Sequence, residues 1–303
     1  MEEWFATWAQ LPFAKLHLNT IYPFAVCKNV TSLKIYSTSF LASNVFQLAA
    51  SSPKLVKLTL QTYTPAVVTA AMLRQATQWL TSSSVQTFRF TNWAFEDAID
   101  EATRDAFYTA LFKQPSLKTL SLSNCNLTGL SVVELPASMR YFCITNCSLS
   151  PQSLVSLASA IGESNVLETL DLNMDMFPAV HHPVDGYLHV FEQILEGVSL
   201  SNLDCLALNY CGLWWQTLGP LLQRTSVKKL SLIGRAIQGN GNIQKVDLSR
   251  NNMTKEWMLA LLKLAQGTQL KRIHMGEYDL EEHSTVLRTI ASQQGVELEF
   301  YGD

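Results

Sequence analysis

Charge is what this chain has least of. Asp, Glu, Lys and Arg make up only 16% of its 303 residues, against 48% hydrophobic residues. That balance excludes a disordered chain and predicts a sizeable core. The net charge of −3, with an isoelectric point near 6.1, gives no bulk attraction to nucleic acid or to an anionic membrane. Long apolar runs are missing too. The most apolar helical stretch, WMLALLKLA, falls far short of the ~20 residues that cross a bilayer. The opening MEEWFATWAQ is acidic where a signal peptide carries a basic region. The six cysteines, at positions 27, 125, 143, 147, 205 and 211, form no C-x-x-C pair. Together these features predict reduced thiols in a cytoplasmic protein, with the nucleus as the other compartment, and leave the N-x-S/T triplets at Asn29, Asn126, Asn146 and Asn252 unused.

Motifs of catalysis are equally scarce. No G-x-S-x-G, no phosphate-cradling glycine loop and no Cys–His pair in a recognisable context occurs. No catalytic residue and no cofactor is expected. His181, His182, Asp185 and His189 have a spacing that would suit zinc, with Asp185 as the carboxylate. A polar, proline-containing loop fits them better, since nothing elsewhere in the sequence supplies supporting partners, and no metal site is assigned.

What is present is a self-similar frame. LKTLSLSNCNL (117–127) and IQKVDLSRNNM (243–253) share the pattern L-x-x-L-x-L-x-x-C/N-x-L. Clear copies are LETLDLNMDMF (167–177), LDCLALNYCGL (203–213), VKKLSLIGRAI (227–237) and LKRIHMGEYDL (270–280). Looser ones are LVKLTLQTYTP (55–65), VQTFRFTNWAF (85–95) and MRYFCITNCSL (139–149). The weakest are FAKLHL near the start, VTSLKIYSTSF (30–40) and VELEF near the end, giving about twelve units spaced near 26 residues. Within the frame the second and third apolar residues stand two apart, so both project from one strand face into a core. The C/N position follows where the chain turns out of the strand, and stacked copies there predict a ladder of short side chains bonded to turn backbone. Cys125, Cys147, Cys211 and Asn251 hold that position.

Helical segments alternate with the frames. Thr64-Pro65 is expected to cap PAVVTAAMLRQATQWL, and Ser150-Pro151 to open PQSLVSLASAIG, closed by Gly162. EDAIDEATRDAFYTALFK (96–113) is the longest helix candidate, and Thr254 precedes KEWMLALLKLAQG. Trp4, Phe5, Trp8 and Leu11 fall on one side of a helix at the start. Strand followed by helix, repeated, predicts an α/β fold with a parallel sheet on one side and helices on the other.

The frames LKTLSLSNCNL, LDCLALNYCGL and IQKVDLSRNNM, each with a helix nearby, resemble leucine-rich repeats of the ribonuclease-inhibitor type. The resemblance covers essentially the whole chain. It implies a single domain over residues 1–303, a solenoid curved into an arc of about twelve repeats, with the sheet concave and the helices convex. Two spacings depart from it. Leu16 and Leu33 stand 17 residues apart, and Leu230 and Val246 stand 16 apart, too few for a strand, two turns and a full helix. The atypical repeat 230–246 is expected to cross back as a bare loop, whereas 36 residues separate Leu170 from Leu206, with a loop insertion at 178–190.

Residues flanking and separating the inward pair should lie on the solvated strand face. They include Lys15, His17, Lys34, Tyr36, Lys57, Arg89, Tyr141, Cys143, Asp171, Asn173, Asn209, Lys229, Lys245, Asp247, Arg272 and His274. The first four units supply Lys15, Lys34, Lys57 and Arg89 and no acid, while acids enter at Asp171, Asp247, Glu297 and Glu299. A graded surface follows, positive at the N-terminal end, and it favours a protein partner with an acidic segment. Nucleic acid is disfavoured, because four basic side chains with one tyrosine make a weak backbone-binding surface. The oligomeric state is left open. The expected role is a non-enzymatic protein-binding scaffold. Two further roles come from the repeat resemblance: the substrate-recognition arm of an F-box-type ubiquitin ligase, and a GTPase activator of the Ran-activator type.

Overall fold

In the computed structural model the described residues are 14–18, 29–37, 42–127, 129–130, 133–147, 149–172, 193–194, 196–198, 201, 203–208, 229–232, 243–248, 255–265, 268–275 and 283–300. The protein is an α/β chain with a parallel sheet, and it divides into two compact units, Met1–Leu157 and Ala158–Asp303.

The first unit carries strands β1 (Lys15–Leu18), β2 (Ser32–Ser37), β3 (Lys57–Val68), β4 (Thr87–Phe95), β5 (Thr119–Ser123) and β6 (Tyr141–Thr145), each paired in parallel with the next in chain order. Its helices are α1 (Ala42–Ser51), α2 (Ala70–Ser82) and α3 (Glu101–Phe112); α4 (Pro151–Glu163) runs across the division at Leu157. The second unit carries β7 (Thr169–Asp171), β8 (Cys205–Leu208), β9 (Lys229–Leu232), β10 (Lys245–Asp247), β11 (Arg272–Met275) and β12 (Glu297–Phe300), with helices α5 (Lys255–Ala265) and α6 (Ser284–Gln293). Its strands also pair in parallel and in chain order.

The apolar frame sets the register. Leu16, Leu33, Leu58, Phe88, Leu120 and Phe142 occupy one row across the first unit. Leu170, Leu206, Leu230, Val246, Ile273 and Leu298 do so across the second. Because side chains alternate along a strand, one slip would turn every rung outward, and this fixes the pairing.

Helices bury against the inward rungs. Phe46 of α1 meets Phe90 and Trp93, Trp79 of α2 meets Phe88 edge-on at 5.7 Å, and Phe112 of α3 meets Phe142. The Trp79 indole donates to the Leu55 carbonyl at 2.8 Å, so this buried ring leaves no polar atom unmatched. Gln114 is also buried; its amide donates to the carbonyls of Leu80 and Ser83, and its oxygen accepts from the Ser116 amide.

Three helix boundaries differ from expectation. Strand β3 runs on through Pro65 to Val68, and α2 starts only at Ala70, capped by Thr69 rather than Thr64. Valines 67 and 68 favour the strand, and Pro65 is tolerated there because the register with β4 shifts between Gln61 and Ala66, where a proline costs no ladder bond. Helix α3 begins at Glu101, since the Asp100 carboxylate accepts from the Thr103 amide at 2.8 Å and leaves residues 96–100 as a turn; α2 and α4, with 13 residues each, are longer. Gly162 lies inside α4, which ends at Glu163. The start of α4 is as expected, with the Ser150 hydroxyl accepting from the Ser153 amide at 3.1 Å. The helix around Trp4, the insertion 178–190, the loop 236–242 and Thr254 lie outside the described residues.

Candidate functional site: the solvated strand face

The strand face opposite the helices carries the residues of interest. In the first unit two rows cross the sheet. One reads Lys15, Ser32, Lys57, Thr87, Thr119, Tyr141; the other reads His17, Lys34, Thr59, Arg89, Ser121, Cys143. Lys15, His17, Lys34, Lys57 and Arg89 are exposed. The four Lys and Arg residues alternate between the rows, one per strand, with small hydroxyl residues between them. No acid stands in either row. Two ring contacts hold the charged and aromatic groups together. The His17 and Tyr36 rings lie 5.0 Å apart, and the Arg89 guanidinium sits over the Tyr141 ring at 5.3 Å. The second contact keeps the guanidinium on the face while its charge stays available.

The face of the second unit is built differently. Lys245, Arg272 and Glu297 share one row, and Asp247, His274 and Glu299 share the next. Arg272 donates to Glu297 at 2.7 Å and to Glu299 at 3.1 Å, and His274 Nδ1 lies 2.9 Å from Glu299. The Arg272 guanidinium here is paired with two acids of the neighbouring strand. Asp171 and Lys229 lie on β7 and β9 at the expected strand positions, the side chain of Lys229 falling outside the described residues. Asn173 and Asn209 fall outside them altogether.

Cys143 departs from expectation. It is 5% exposed, with its sulfur 3.3 Å from the Thr145 hydroxyl. Its place on this face therefore offers almost no surface.

Turns at the strand ends fix the rim. The Cys125 sulfur lies 3.6 Å from the Phe90 carbonyl oxygen, and the Cys147 sulfur 3.4 Å from that of Leu122, the register partner of Phe90. Each thiol thus reaches back to the preceding strand at the same rung. The bond between the two thiols pushes the Cys147 thiol up, with burial adding to it, and holds Cys125 down. Cys211 and Asn251 lie outside the described residues.

Reading the frame alone misses a second ladder. Asn92, Asn124 and Asn146 have φ of 62°, 52° and 51°, at equivalent places in three successive repeats. Asparagine is among the few residues with a side chain that enter this left-handed region readily. The signal was present as the triplets TNW, SNC and TNC, with Asn one place before the C/N position. Asn92 further donates its amide to the Thr62 carbonyl, while the Thr62 hydroxyl donates to the Thr91 carbonyl at 3.1 Å, tying the ends of β3 and β4.

Two hollows of about 300 and 740 Å³ flank α3, sharing Asp105, Thr109 and Lys113, and neither is lined by His or Cys. Among the described residues no group of three or more His, Cys, Asp or Glu side chains could hold a metal ion, and no helix is long and apolar enough to cross a membrane. His181, His182, Asp185 and His189 are outside those residues. No family model matches the chain, and no curated protein matches it either.

Proposed function

We propose that residues 1–303 form one leucine-rich repeat domain of the ribonuclease-inhibitor type, an arc that serves as a non-enzymatic, cytoplasmic protein-binding scaffold. The solvated strand face is its binding surface, and the first unit takes an acidic segment of the partner. One observation carries this reading: β1 to β4 each present one exposed Lys or Arg, and no acid shares their rows. In a chain with net charge −3, such a local excess selects partners by charge and speeds their encounter. The regular rungs support the repeat assignment, since Leu or Phe recurs in one row while the opposite face is left polar. Rigid, evenly spaced strands supply many side chains without any needing to move.

The test is affinity capture with the full chain, comparing wild type with the triple variant Lys34→Glu, Lys57→Glu, Arg89→Glu, followed by mass spectrometry. A protein held by wild type and lost by the variant supports the surface. Recovery of the same proteins by both would remove it.

A further inference from the structure

We propose that the acidic segment received by the first unit is an α-helix lying across the strands, with its acids at positions i, i+3, i+7 and i+10. This deepens the reading of the face as a protein-binding surface and rests on it. The spacing of the basic residues carries the inference. Lys15, Lys34, Lys57 and Arg89 stand on four successive strands, β1 to β4. Adjacent strands lie about 4.8 Å apart, so these residues fall near 0, ~4.8, ~9.6 and ~14.4 Å along a line crossing the sheet. A helix rises about 1.5 Å per residue, which puts positions i, i+3, i+7 and i+10 near 0, ~4.5, ~10.5 and ~15 Å. The two series agree within about 1 Å at every step, less than a lysine or arginine side chain can span.

The lateral pattern agrees as well. Lys15 and Lys57 belong to one row, Lys34 and Arg89 to the other, two residues along the strand, or about 6.6 Å apart. The basic groups therefore zigzag. On a helix turning about 100° per residue, the four positions lie at about 0°, −60°, −20° and −80°, and so swing between two sides in the same alternation. An extended peptide cannot reproduce this. Its same-face side chains recur every ~6.6 Å in a single line, out of step with the strands and without lateral alternation.

The neighbours suit a helix. Ser32, Thr59 and Thr87 between the basic residues are small, leaving room for a cylinder to approach, and the Arg89–Tyr141 contact closes one end of the track. Among the described residues of the second unit, Arg272 is engaged by Glu297 and Glu299.

The experiment uses the full chain and three fluorescent 15-residue peptides of equal charge, read by anisotropy at low salt. The first carries Glu at i, i+3, i+7 and i+10 and is locked helical by a lactam outside that stripe. The second disperses the four glutamates around the same locked helix. The third keeps the acidic order but carries two prolines that forbid a helix. We expect the first to bind about tenfold tighter than either control. Lys34→Glu with Arg89→Glu, or Lys15→Glu with Lys57→Glu, should each weaken it about tenfold, with circular dichroism checking that the variants fold. Lys113→Glu, on the helix side, should leave it unchanged. Equal binding of all three peptides, abolished by the row reversals, overturns the helix while leaving an acid-binding face. Binding insensitive to the reversals, or no binding by any peptide, overturns both.

Discussion

The Glu299 carboxylate on β12 accepts from the Arg272 guanidinium on β11 at 3.1 Å, and its other oxygen lies 2.9 Å from His274 Nδ1. One acid thus engages two residues of β11. Replacing Glu297 and Glu299 together by Gln should release Arg272 and give the second unit affinity for acidic peptides that wild type lacks there. Stability should change by no more than about 1 kcal/mol, since exposed ion pairs contribute little. Anisotropy with a poly-glutamate probe, alongside a urea melt, checks both. An unchanged affinity would mean that Arg272 is held by something other than these acids.

Gln114 offers a stability test. It is 6% exposed, and its side chain satisfies the Leu80 and Ser83 carbonyls at the end of α2 and the Ser116 amide in the turn between α3 and β5. Gln114→Ala leaves those backbone groups buried without partners, a loss of about 1–3 kcal/mol. Gln114→Glu should cost more, because a carboxylate cannot donate to Leu80 and Ser83. Urea denaturation measures both, and an unaltered midpoint for either would show that water reaches this turn.

How far could such positions be foreseen? The rungs were legible because Leu16 to Phe142 repeat one chemistry at one spacing, and each strand repeats the test of register. Boundaries were less so. Thr64-Pro65 and Thr69 are both plausible caps, and the choice fell to Val67 and Val68, whose strand preference is expressed only because β4 extends alongside them. Alternation along the strands placed the exposed Lys15, His17, Lys34, Lys57 and Arg89 on the solvated strand face. It failed at Cys143, which alternation puts on that face and which is 5% exposed. Pairing between side chains, as in Arg272 with Glu299, needs the register of two strands before it can be seen at all.

Asp100 ties one helix to pH. Its carboxylate accepts from the Thr103 hydroxyl and amide, which hold it below the usual carboxylate range, and the side-chain bond contributes most. A depressed folded value means that the charged cap stabilises α3 above the unfolded carboxylate range, near 3.9, and that this is lost as pH falls through the lower folded value. Asp100→Ala should therefore lower the thermal midpoint at pH 7 and matter little at pH 2. Asp100→Asn, which keeps an accepting oxygen, should fall between the two at pH 7. A deficit for Asp100→Ala that persists undiminished at pH 2 would assign the effect to packing instead.

Gly197 sets how closely its segment meets α4. A Cβ built there would lie 2.4 Å from the Ala158 carbonyl oxygen and 3.3 Å from the Gly162 nitrogen. The obstacle is backbone, so no side-chain rotation relieves it. Gly197→Ala should destabilise the protein by about 1–3 kcal/mol through overpacking.

Thiol chemistry gives a test of the rim ladder. Cys125, Cys143 and Cys147 are buried, whereas Cys205 is half-buried. Cys147 is further protected because its bond to Cys125 and its burial both push its thiol up, leaving little thiolate to react. Among these four, native-state alkylation with iodoacetamide at pH 8 should therefore mark Cys205 first and Cys147 last, read by peptide mass spectrometry. Cys147→Ala removes the contacts to the Leu122 and Thr145 carbonyls and should cost about 0.5–1.5 kcal/mol. Alkylation of Cys147 ahead of Cys205 would mean that the turn after β6 opens in the native state, and that the ladder does not hold the rim.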